Sequence, residues 1–238
     1  MGYKMEWVIE LNGDKDDLKI LPKYFIFKEL YITEEEGRFF LRSIYLDIDK
    51  VFTEGDVIRE GRKLLISVNG ISRMLLKAKN LIEFHSILKL DNNGKLIKGC
   101  TWINCKLYIR NSGAVKLNGK EINPKDYLEK WTKIILSDED VMRAFLFLSL
   151  DNLNWRDLYC IYDTIQENVG GRKIVENWFP KGKLKGFTHT ACSFEAIKEN
   201  ARHSMKKFKK PKIEMSLLEA SSLIYDMLYI WLEKIKNK

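Results

Sequence analysis

Hydrophobic and polar residues alternate near the start of the chain, as they do in a strand that buries one face. Trp7, Ile9 and Leu11 follow this two-residue period, and an Asn-Gly-Asp turn ends the run. The pattern predicts a half-buried β-strand. The segments 26–32 and 39–47 are rich in aromatic and β-branched residues and are separated by a Glu-Glu-Glu-Gly turn, so they predict a β-hairpin.

A helical period replaces the alternation at two places in the same half of the chain. Residues 18–25 fit a short helix, and Thr53 followed by Asp56 has the spacing of a capping box. Apolar residues recur at helical intervals through 57–75, which predicts the first long helix. Within 81–117 two turn sequences, Asp-Asn-Asn-Gly and Asn-Ser-Gly, predict three short antiparallel strands.

The second half of the chain is predicted to be helical. It begins at Asn123-Pro124, because proline suits the first position of a helix. The sequence therefore predicts an α+β fold, with an α+β domain over residues 1–122 and a helical domain over residues 123–238. Five helices are expected in the second domain, and four of them have predicted polar caps: Ser137 with Asp140, Asn154 with Asp157, Ser193, and Ser216 with Glu219.

Positive charge is concentrated in residues 181–212, which we call the basic segment. The chain has a net charge of +8, and the basic segment alone supplies it, with nine lysines and Arg202 against Glu195 and Glu199. Such a segment is either a solvated face or a surface that attracts an anionic partner. The excess of lysine over arginine favours diffuse attraction to phosphates over the reading of base edges. The candidate nucleic-acid-binding residues are Lys181, Lys183, Lys185, Lys198, Lys206, Lys207, Lys209, Lys210 and Lys212.

Composition and motifs argue against several classes of protein. The chain is 45% hydrophobic with only 4 prolines, so we expect it to fold throughout. Its four cysteines lack the C-x-x-C spacing of a metal or redox pair. Neither a membrane-spanning run nor the apolar core of a signal peptide is found, so we expect a cytoplasmic protein. The signatures of phosphate-binding loops, dinucleotide-binding loops, serine hydrolases and zinc proteases are absent, and we expect no cofactor and no metal.

Two histidines flank a short predicted helix in the basic segment. His189 and His203 can exchange protons near neutral pH, and Arg202 can stabilise the charge that develops on a phosphoryl centre. These three residues are the candidate catalytic residues for metal-free cleavage of RNA. The alternative is a structural role, in which both histidines tie the loop to adjacent helices through hydrogen bonds.

Two further features of the helical half allow either a structural or a ligand-binding interpretation. Gly170-Gly171 can offer backbone amides to a phosphate or cap the preceding helix, and capping is the commoner role. Trp155, Tyr159 and Tyr162 can form a ligand cage, but their helical spacing favours a packed core.

The helical half resembles two families. Its motifs within residues 154–203 resemble those of an uncharacterised bacterial family: Trp155-Arg-Asp-Leu-Tyr, Val169-Gly-Gly, Phe187-x-His-Thr-Ala and Ala201-Arg-His. It also resembles HEPN domains (the higher eukaryote and prokaryote nucleotide-binding family), helical bundles that include ribonucleases of toxin and phage-defence systems. Those nucleases carry arginine, a polar residue, three variable positions and then histidine. The segment 202–207 departs from this pattern by having lysine in place of the final histidine.

Three functional expectations follow from the sequence. The first is a non-enzymatic accessory protein of a bacterial defence or stress system that binds RNA or another polyanion through the basic segment. The second, implied by the resemblance to HEPN domains, is a metal-independent ribonuclease that uses Arg202, His203 and His189. Members of that family are often dimeric. The third is a protein-interaction module whose lysines bind an acidic partner.

Overall fold

The computed structural model describes residues 7–47, 53–78, 80–91, 96–101, 116–117, 120–121, 123–202 and 209–235. The chain divides into two compact units. The first unit comprises Met1–Val115 and Asn123–Ser137, and the second comprises Lys116–Ile122 and Asp138–Lys238. The first contains an antiparallel sheet with helices and the second is mainly helical, so the predicted α+β class is confirmed.

The described elements of the first unit are β1 (Trp7–Asn12), α1 (Lys15–Tyr24), β2 (Ile26–Phe27), β3 (Leu30–Glu35), β4 (Arg38–Arg42), α2 (Glu54–Ile71), β5 (Glu83–Leu90), β6 (Leu96–Thr101) and α3 (Lys125–Ser137). The unit is built on one sheet with strand order β2-β3-β4-β1-β5-β6, and every pairing in it is antiparallel. The predicted first strand and capped long helix are confirmed. The predicted hairpin is confirmed as β3 paired with β4, but the segment 26–32, predicted as one strand, is divided by a turn into β2 and β3. Strand β4 ends at Arg42, and a 3-10 turn at Ile44–Leu46 follows it. A π-helical turn at Ser72–Leu76 extends the long helix.

The strand predictions for residues 81–117 are covered in part by the described residues. Strands β5 and β6 form an antiparallel hairpin, in agreement with the first two of the three predicted strands. The third predicted strand follows the turn at residues 111–113 and ends at residue 117. Residues 102–115 lie outside the described residues, and Lys116–Leu117 form a short strand that pairs in a separate two-stranded sheet.

The central strand β1 is buried on both faces, whereas its sequence pattern predicts burial on one. Ile9 lies towards α2, and Glu10, one residue further, lies on the opposite face. The Glu10 carboxylate accepts two hydrogen bonds of 2.7 Å from the Arg38 guanidinium and another from the Ser86 hydroxyl. The hydrogen bonds from Arg38 hold the pKa of Glu10 below its ordinary value. The carboxylate therefore stays charged within the sheet because these donors replace water.

Helix α2 begins at the predicted capping box and approaches the sheet closely at Gly61. The Thr53 hydroxyl accepts a hydrogen bond from the Asp56 amide, and the Asp56 carboxylate accepts one from the Thr53 amide, both at 3.2 Å. A Cβ atom on Gly61 would lie 2.5 Å from Cδ1 of Ile9 and 3.1 Å from Cζ of Phe84. Glycine at this position lets the helix backbone pack directly on the sheet.

Asn69, near the end of α2, fixes the chain that enters β5. Its side-chain amide donates to the Ile82 carbonyl and its side-chain oxygen accepts from the Ile82 amide, both at 2.8 Å. The side chain thereby pairs both polar groups of one buried residue, which would otherwise have no strand partner.

Helix α3 belongs to the first unit although it opens the predicted helical half. It contacts α2 and buries Leu128, Trp131 and Ile135. The observed division between the units at Ser137 therefore differs from the boundary predicted at residue 122.

The second unit is helical apart from a two-stranded ribbon. After residue 123 the described residues include seven helices, counting α3, whereas five were predicted. The two helices that were not predicted are Arg172–Glu176 and Lys183–Cys192. Within these described residues every helix is too short or too polar to cross a membrane. The elements of the second unit are β7 (Lys116–Leu117), β8 (Lys120–Glu121), α4 (Glu139–Leu148), α5 (Trp155–Asn168), α6 (Arg172–Glu176), α7 (Lys183–Cys192), α8 (Phe194–Ile197) and α9 (Leu217–Ile235).

Two of the predicted helix caps in this unit are confirmed. The Asn154 side-chain oxygen accepts a hydrogen bond from the Asp157 backbone amide at 3.3 Å. The Asn154 backbone amide donates to the Asp157 carboxylate at 3.1 Å. Ser216 and Glu219 make the same reciprocal pair at the start of α9, at 3.2 and 2.7 Å. The two longest helices of the unit therefore start where the sequence predicts.

The other two predicted caps are wrong. Asp138 caps α4, and the Ser137 hydroxyl instead donates to the Ile134 carbonyl at the end of α3. Ser193 precedes α8, but its buried hydroxyl makes no capping hydrogen bond to the described residues. A carboxylate accepts more strongly from helical amides than a hydroxyl does, which accounts for the choice of Asp138 over its neighbour.

Helix α5 is the centre of the second unit and contacts α4, α6, α7 and α9. At its C-terminal end the Asn168 amide donates to the Asp140 carboxylate at 2.8 Å. The Asn168 side-chain oxygen accepts from the Trp231 indole at 2.9 Å. One side chain thus joins α4, α5 and α9 and fixes the helix on which the candidate site is built.

Candidate functional site

A concave site of about 460 Å³ lies in the second unit between α5, α7 and the residues that follow α5 and α8; we call it the basic cleft. Its volume is within the range of small-molecule binding sites. Three of its lining residues are lysine or arginine, so the cleft attracts anions. The lining residues are Tyr159, Arg172, Lys185, Thr188, His189, Cys192 and Arg202.

One face of α7 supplies four of these residues. Lys185, Thr188, His189 and Cys192 are spaced i, i+3, i+4 and i+7, which places them on one side of a helix. Phe187, between them, is fully buried on the other side. The alternation of apolar and polar positions along α7 therefore both anchors the helix and directs its polar side chains to the cleft.

Arg202 reaches the cleft because the chain turns back after α8. Lys198 has a φ of 53°, in the left-handed region, and the buried Ala201 donates its amide to the Lys198 carbonyl at 3.0 Å. The Arg202 amide then donates to the Ala191 carbonyl at 2.9 Å, near the C-terminal end of α7. A cation is favoured there because the helix carbonyls carry partial negative charge.

The Arg202 guanidinium is held between an aromatic ring and a carboxylate. Its central carbon lies 4.2 Å from the ring centroid of Tyr159, and a terminal nitrogen lies 3.1 Å from Oδ2 of Asp163. The side chain is nevertheless 42% exposed, so a ligand can reach it. A guanidinium has five N–H donors, and the pair with Asp163 does not use them all.

A cluster of aromatic rings forms the floor beneath Arg202. The ring centroid of Phe187 lies 5.9 Å from those of Trp155 and Tyr159 and 5.8 Å from that of Tyr162. All four are buried, as the predicted packed core requires, and Tyr159 also lines the cleft. Burial raises the pKa of Tyr159, and it raises the pKa of Tyr162 to about 12, so both phenols are neutral at physiological pH.

Arg172 connects the basic cleft to an adjoining site of about 550 Å³, which we call the polar cleft. The Nε atom of Arg172 lies 2.7 Å from Oε1 of Glu176. Gly170 and Gly171 donate their amides to carbonyls of α5 at 3.2 and 2.7 Å, so the predicted helix cap is confirmed and these amides are not directed at a ligand. The polar cleft is lined by Tyr159, Tyr162, Gln166, Glu167, Gly170, Gly171 and Arg172.

The lining residues limit the chemistry that the basic cleft can perform. Burial raises the pKa of the Cys192 thiol, so the thiolate needed for nucleophilic attack is disfavoured at neutral pH. His189 supplies the imidazole among the described lining residues, a side-chain type that acts as a general acid or base in catalysis. Within the described residues, no group of three His, Cys, Asp or Glu side chains is placed to hold a metal ion. Binding of anions and proton transfer by His189 are the chemistry that the cleft offers.

The structure brings together part of the site predicted from the sequence. Lys185, His189 and Arg202 line the basic cleft. Lys210 lies outside it and pairs with Glu214 at 2.6 Å. The remaining described candidates are exposed and also lie outside the lining: Lys181, Lys183, Lys198, Lys209 and Lys212. Three candidates lie outside the described residues: His203, Lys206 and Lys207.

Four lining residues are not predicted as ligand contacts by the sequence: Tyr159, Arg172, Thr188 and Cys192. Its helical spacing assigns Tyr159 to the core, and Arg172 simply follows a glycine cap. The sequence does carry one signal for Arg172. It directly follows a Gly-Gly cap at the end of a helix with an aromatic face. The approach of Arg172 to α7 depends on tertiary packing, which the local sequence does not specify.

Comparison of the chain with protein-family models, with curated proteins and with solved structures finds no match. The geometry and charge of the basic cleft are therefore the basis of the functional proposal.

Proposed function

We propose that the protein binds RNA at the basic cleft and does not cleave it. The observation that carries the proposal is the convergence of Arg172, Lys185, His189 and Arg202 on one cleft. Lysine and arginine neutralise phosphates, and a guanidinium plane offers a surface on which an unpaired base can stack. The tyrosine ring below Arg202 fixes that plane before RNA arrives, which lowers the entropic cost of binding.

Five exposed lysines of the basic segment lie outside the cleft. In this proposal they attract further phosphates of the same RNA strand. They are Lys181, Lys183, Lys198, Lys209 and Lys212. Lysine ammonium groups attract phosphates without the bidentate geometry that reads bases. Binding is therefore expected to tolerate many sequences and to weaken with salt. A role as an RNA-binding accessory protein of a defence or stress system belongs to the same proposal.

The test is fluorescence anisotropy of a labelled single-stranded RNA of mixed sequence at two salt concentrations. The double variant Arg172→Gln/Arg202→Gln should lower affinity by at least about tenfold, because charge-assisted hydrogen bonds contribute roughly 1.5–3 kcal/mol each. It should also reduce the log-log salt slope by about 0.7 for each phosphate that the variant no longer neutralises. Equal affinity of the double variant and wild type would contradict binding at the cleft.

A control variant removes one arginine charge from α5, outside the cleft, and is compared with the single variants Arg172→Gln and Arg202→Gln. Arg156 is exposed and does not line the cleft, so Arg156→Gln should leave the affinity within about twofold of wild type. Polyglutamate of equal charge separates RNA from an acidic protein partner. Displacement of RNA by polyglutamate at equal concentration would favour the protein partner and contradict the RNA proposal.

A second candidate function is metal-independent ribonuclease activity, favoured by His189 and Arg202 lining one cleft. In this reaction the 2′-hydroxyl oxygen of RNA attacks the adjacent phosphorus and gives its proton to His189. The 5′-oxygen leaves and takes a proton from solvent, and Arg202 stabilises the charge on the phosphoryl oxygens. Cleavage in the presence of a chelator that His189→Ala abolishes, without loss of RNA binding, would establish it and replace the non-enzymatic proposal. Separate loss of cleavage in His203→Ala would assign the HEPN-like histidine.

A further inference from the structure

The basic cleft has the size of a site for one nucleotide. Its volume of about 460 Å³ lies within the roughly 300–1,000 Å³ of small-molecule sites. Its positive residues surround one concave site, whereas a surface that tracks a nucleic-acid backbone spreads its charges along a groove. The geometry therefore favours one strong phosphate contact over a series of equal ones.

The cleft offers more hydrogen-bond donors than the two non-bridging oxygens of one internal phosphate of RNA need. An internal phosphodiester carries one negative charge, whereas a terminal phosphomonoester carries about 1.5 to 2 negative charges at pH 7 and three acceptor oxygens. Arg172, Lys185 and Arg202 supply three positive charges around the cleft, and His189 can supply a further donor. Glu176 and Asp163 each pair with one of the arginines, so the preference rests on the unused N–H donors of these side chains and not on net charge. The remaining donors suit a dianion with three oxygens.

The adjoining polar cleft is suited to a nucleoside and unfavourable for a second phosphate. It shares Tyr159 and Arg172 with the basic cleft, so one ligand can span both. Glu167 lines it and is exposed, and its carboxylate would repel a phosphate placed there. The Gln166 side-chain amide donates to Oδ1 of Asp163 at 3.1 Å, which orients it. Carboxylate and amide oxygens can accept hydrogen bonds from ribose hydroxyls and from the amino groups of bases.

We propose that the basic cleft binds the terminal phosphomonoester of a nucleotide, with the attached nucleoside in the polar cleft. This inference rests on the proposed function and deepens it, because it assigns the cleft to an end of the RNA and leaves the exposed lysines to the rest of the strand. The same chemistry is present in a phosphorylated RNA end and in a free nucleoside monophosphate.

The test compares three forms of one RNA sequence, each carrying an internal fluorophore. One form has a 5′-phosphate, one has a 3′-phosphate and one has hydroxyls at both ends. One phosphorylated form should bind wild type about tenfold or more tightly than the hydroxyl form. Lys185→Gln should abolish that difference. Lys173→Gln removes the same charge from an exposed residue of α6 outside both clefts and should leave the difference unchanged.

Competition with a mixture of the four nucleoside monophosphates identifies the source of the phosphomonoester. Displacement of the phosphorylated RNA at concentrations near its own Kd would assign the site to a free nucleotide. Retention of the RNA, together with the end preference, would assign the site to an RNA end. Equal binding of all three RNAs with a steep salt dependence would overturn this inference and leave RNA binding in place, whereas no binding at low salt would overturn both.

Discussion

The guanidinium carbon of Arg202 lies 4.2 Å from the ring centroid of Tyr159, and Asp163, one turn further along α5, pairs with the same guanidinium at 3.1 Å. A flexible side chain is thereby held over a buried ring at the edge of the basic cleft. The ring contributes cation-π attraction, and the carboxylate orients the planar group. An anion that enters the cleft meets a cation already in position.

Replacing the ring under Arg202 should weaken RNA binding. Tyr159→Leu removes a cation-π interaction that is worth roughly 0.5–2 kcal/mol, so the Kd for RNA should rise about twofold to thirtyfold. Tyr159→Phe keeps the ring and should bind within about twofold of wild type. Anisotropy titrations measure both, and thermal unfolding by circular dichroism checks that both variants are folded at the assay temperature. Equal affinities of the Phe and Leu variants would show that the ring does not position Arg202.

Acidification should weaken the first unit through Glu10. Hydrogen bonds from Arg38 lower the pKa of Glu10 in the folded protein relative to its ordinary value of 4.5. Its contribution to stability is therefore complete above pH 4.5 and is lost as the pH falls through the lower folded value. Because Arg38 is 53% exposed, Glu10→Gln should cost only about 1–2 kcal/mol at pH 7, less at lower pH.

Chemical unfolding of wild type and Glu10→Gln between pH 7 and pH 3 measures this effect. Glu34→Gln is the matched control, because Glu34 lies on the neighbouring strand β3 and is exposed. The control should differ little from wild type at every pH. A difference between wild type and Glu10→Gln that stays constant over the range would contradict the assignment.

The contact of α2 with the sheet predicts an unusual response to alanine. Gly61→Ala gains about 1 kcal/mol of helix propensity, but its Cβ would lie 2.5 Å from Cδ1 of Ile9, which is fully buried. Overpacking costs about 1–3 kcal/mol, so we expect a net loss of stability. Gly55→Ala, in the same helix, meets only ordinary contacts and should be neutral or stabilising.

A second substitution tests whether the Ile9 methyl causes this loss. Ile9→Val removes Cδ1, so Gly61→Ala should cost less in the Ile9→Val background than in wild type. Urea unfolding of the four proteins measures the coupling. Additive effects of the two changes would show that the cost arises elsewhere.

The Asn69 side chain should contribute to stability more than an exposed asparagine does. Asn69→Ala leaves the buried amide and carbonyl of Ile82 without their partner, at about 1–3 kcal/mol for each group, so we expect a loss of about 2–6 kcal/mol. Asn152→Ala, at an exposed position, should change stability by less than about 0.5 kcal/mol. Hydrogen exchange at the Ile82 amide should accelerate in Asn69→Ala, and unchanged exchange would contradict the role.

Local signals in the sequence predict a helix start correctly where no neighbouring residue competes for the capping position. Thr53 with Asp56 and Asn154 with Asp157 form the predicted capping boxes because all partners lie within one turn of helix. The prediction for Ser137 is wrong because the adjacent Asp138 is the stronger acceptor. Helix α7 was not predicted, since its apolar and polar residues form an amphipathic pattern over only ten positions.

Burial and the site depended on interactions between residues that are distant in sequence. The alternation around Glu10 predicts a solvent-facing carboxylate, but Arg38 and Ser86, from two other strands, bury it. Three candidates from the basic segment, Lys185, His189 and Arg202, line the cleft. Arg172 and Tyr159 could not be placed beside them from sequence, because α5 and α7 meet through the packing of Phe187 and its neighbouring rings.

Nuclear magnetic resonance of the histidine side chains during titration with RNA locates the binding site within the folded chain. The protein has three histidines, and His189 lines the basic cleft while His85 lies on β5 in the first unit. Loss of one imidazole signal in His189→Gln assigns the resonance. We predict that the ring signals of His189 shift in proportion to bound RNA and that those of His85 stay in place. RNA binding that leaves the His189 signals unmoved would contradict binding at the cleft.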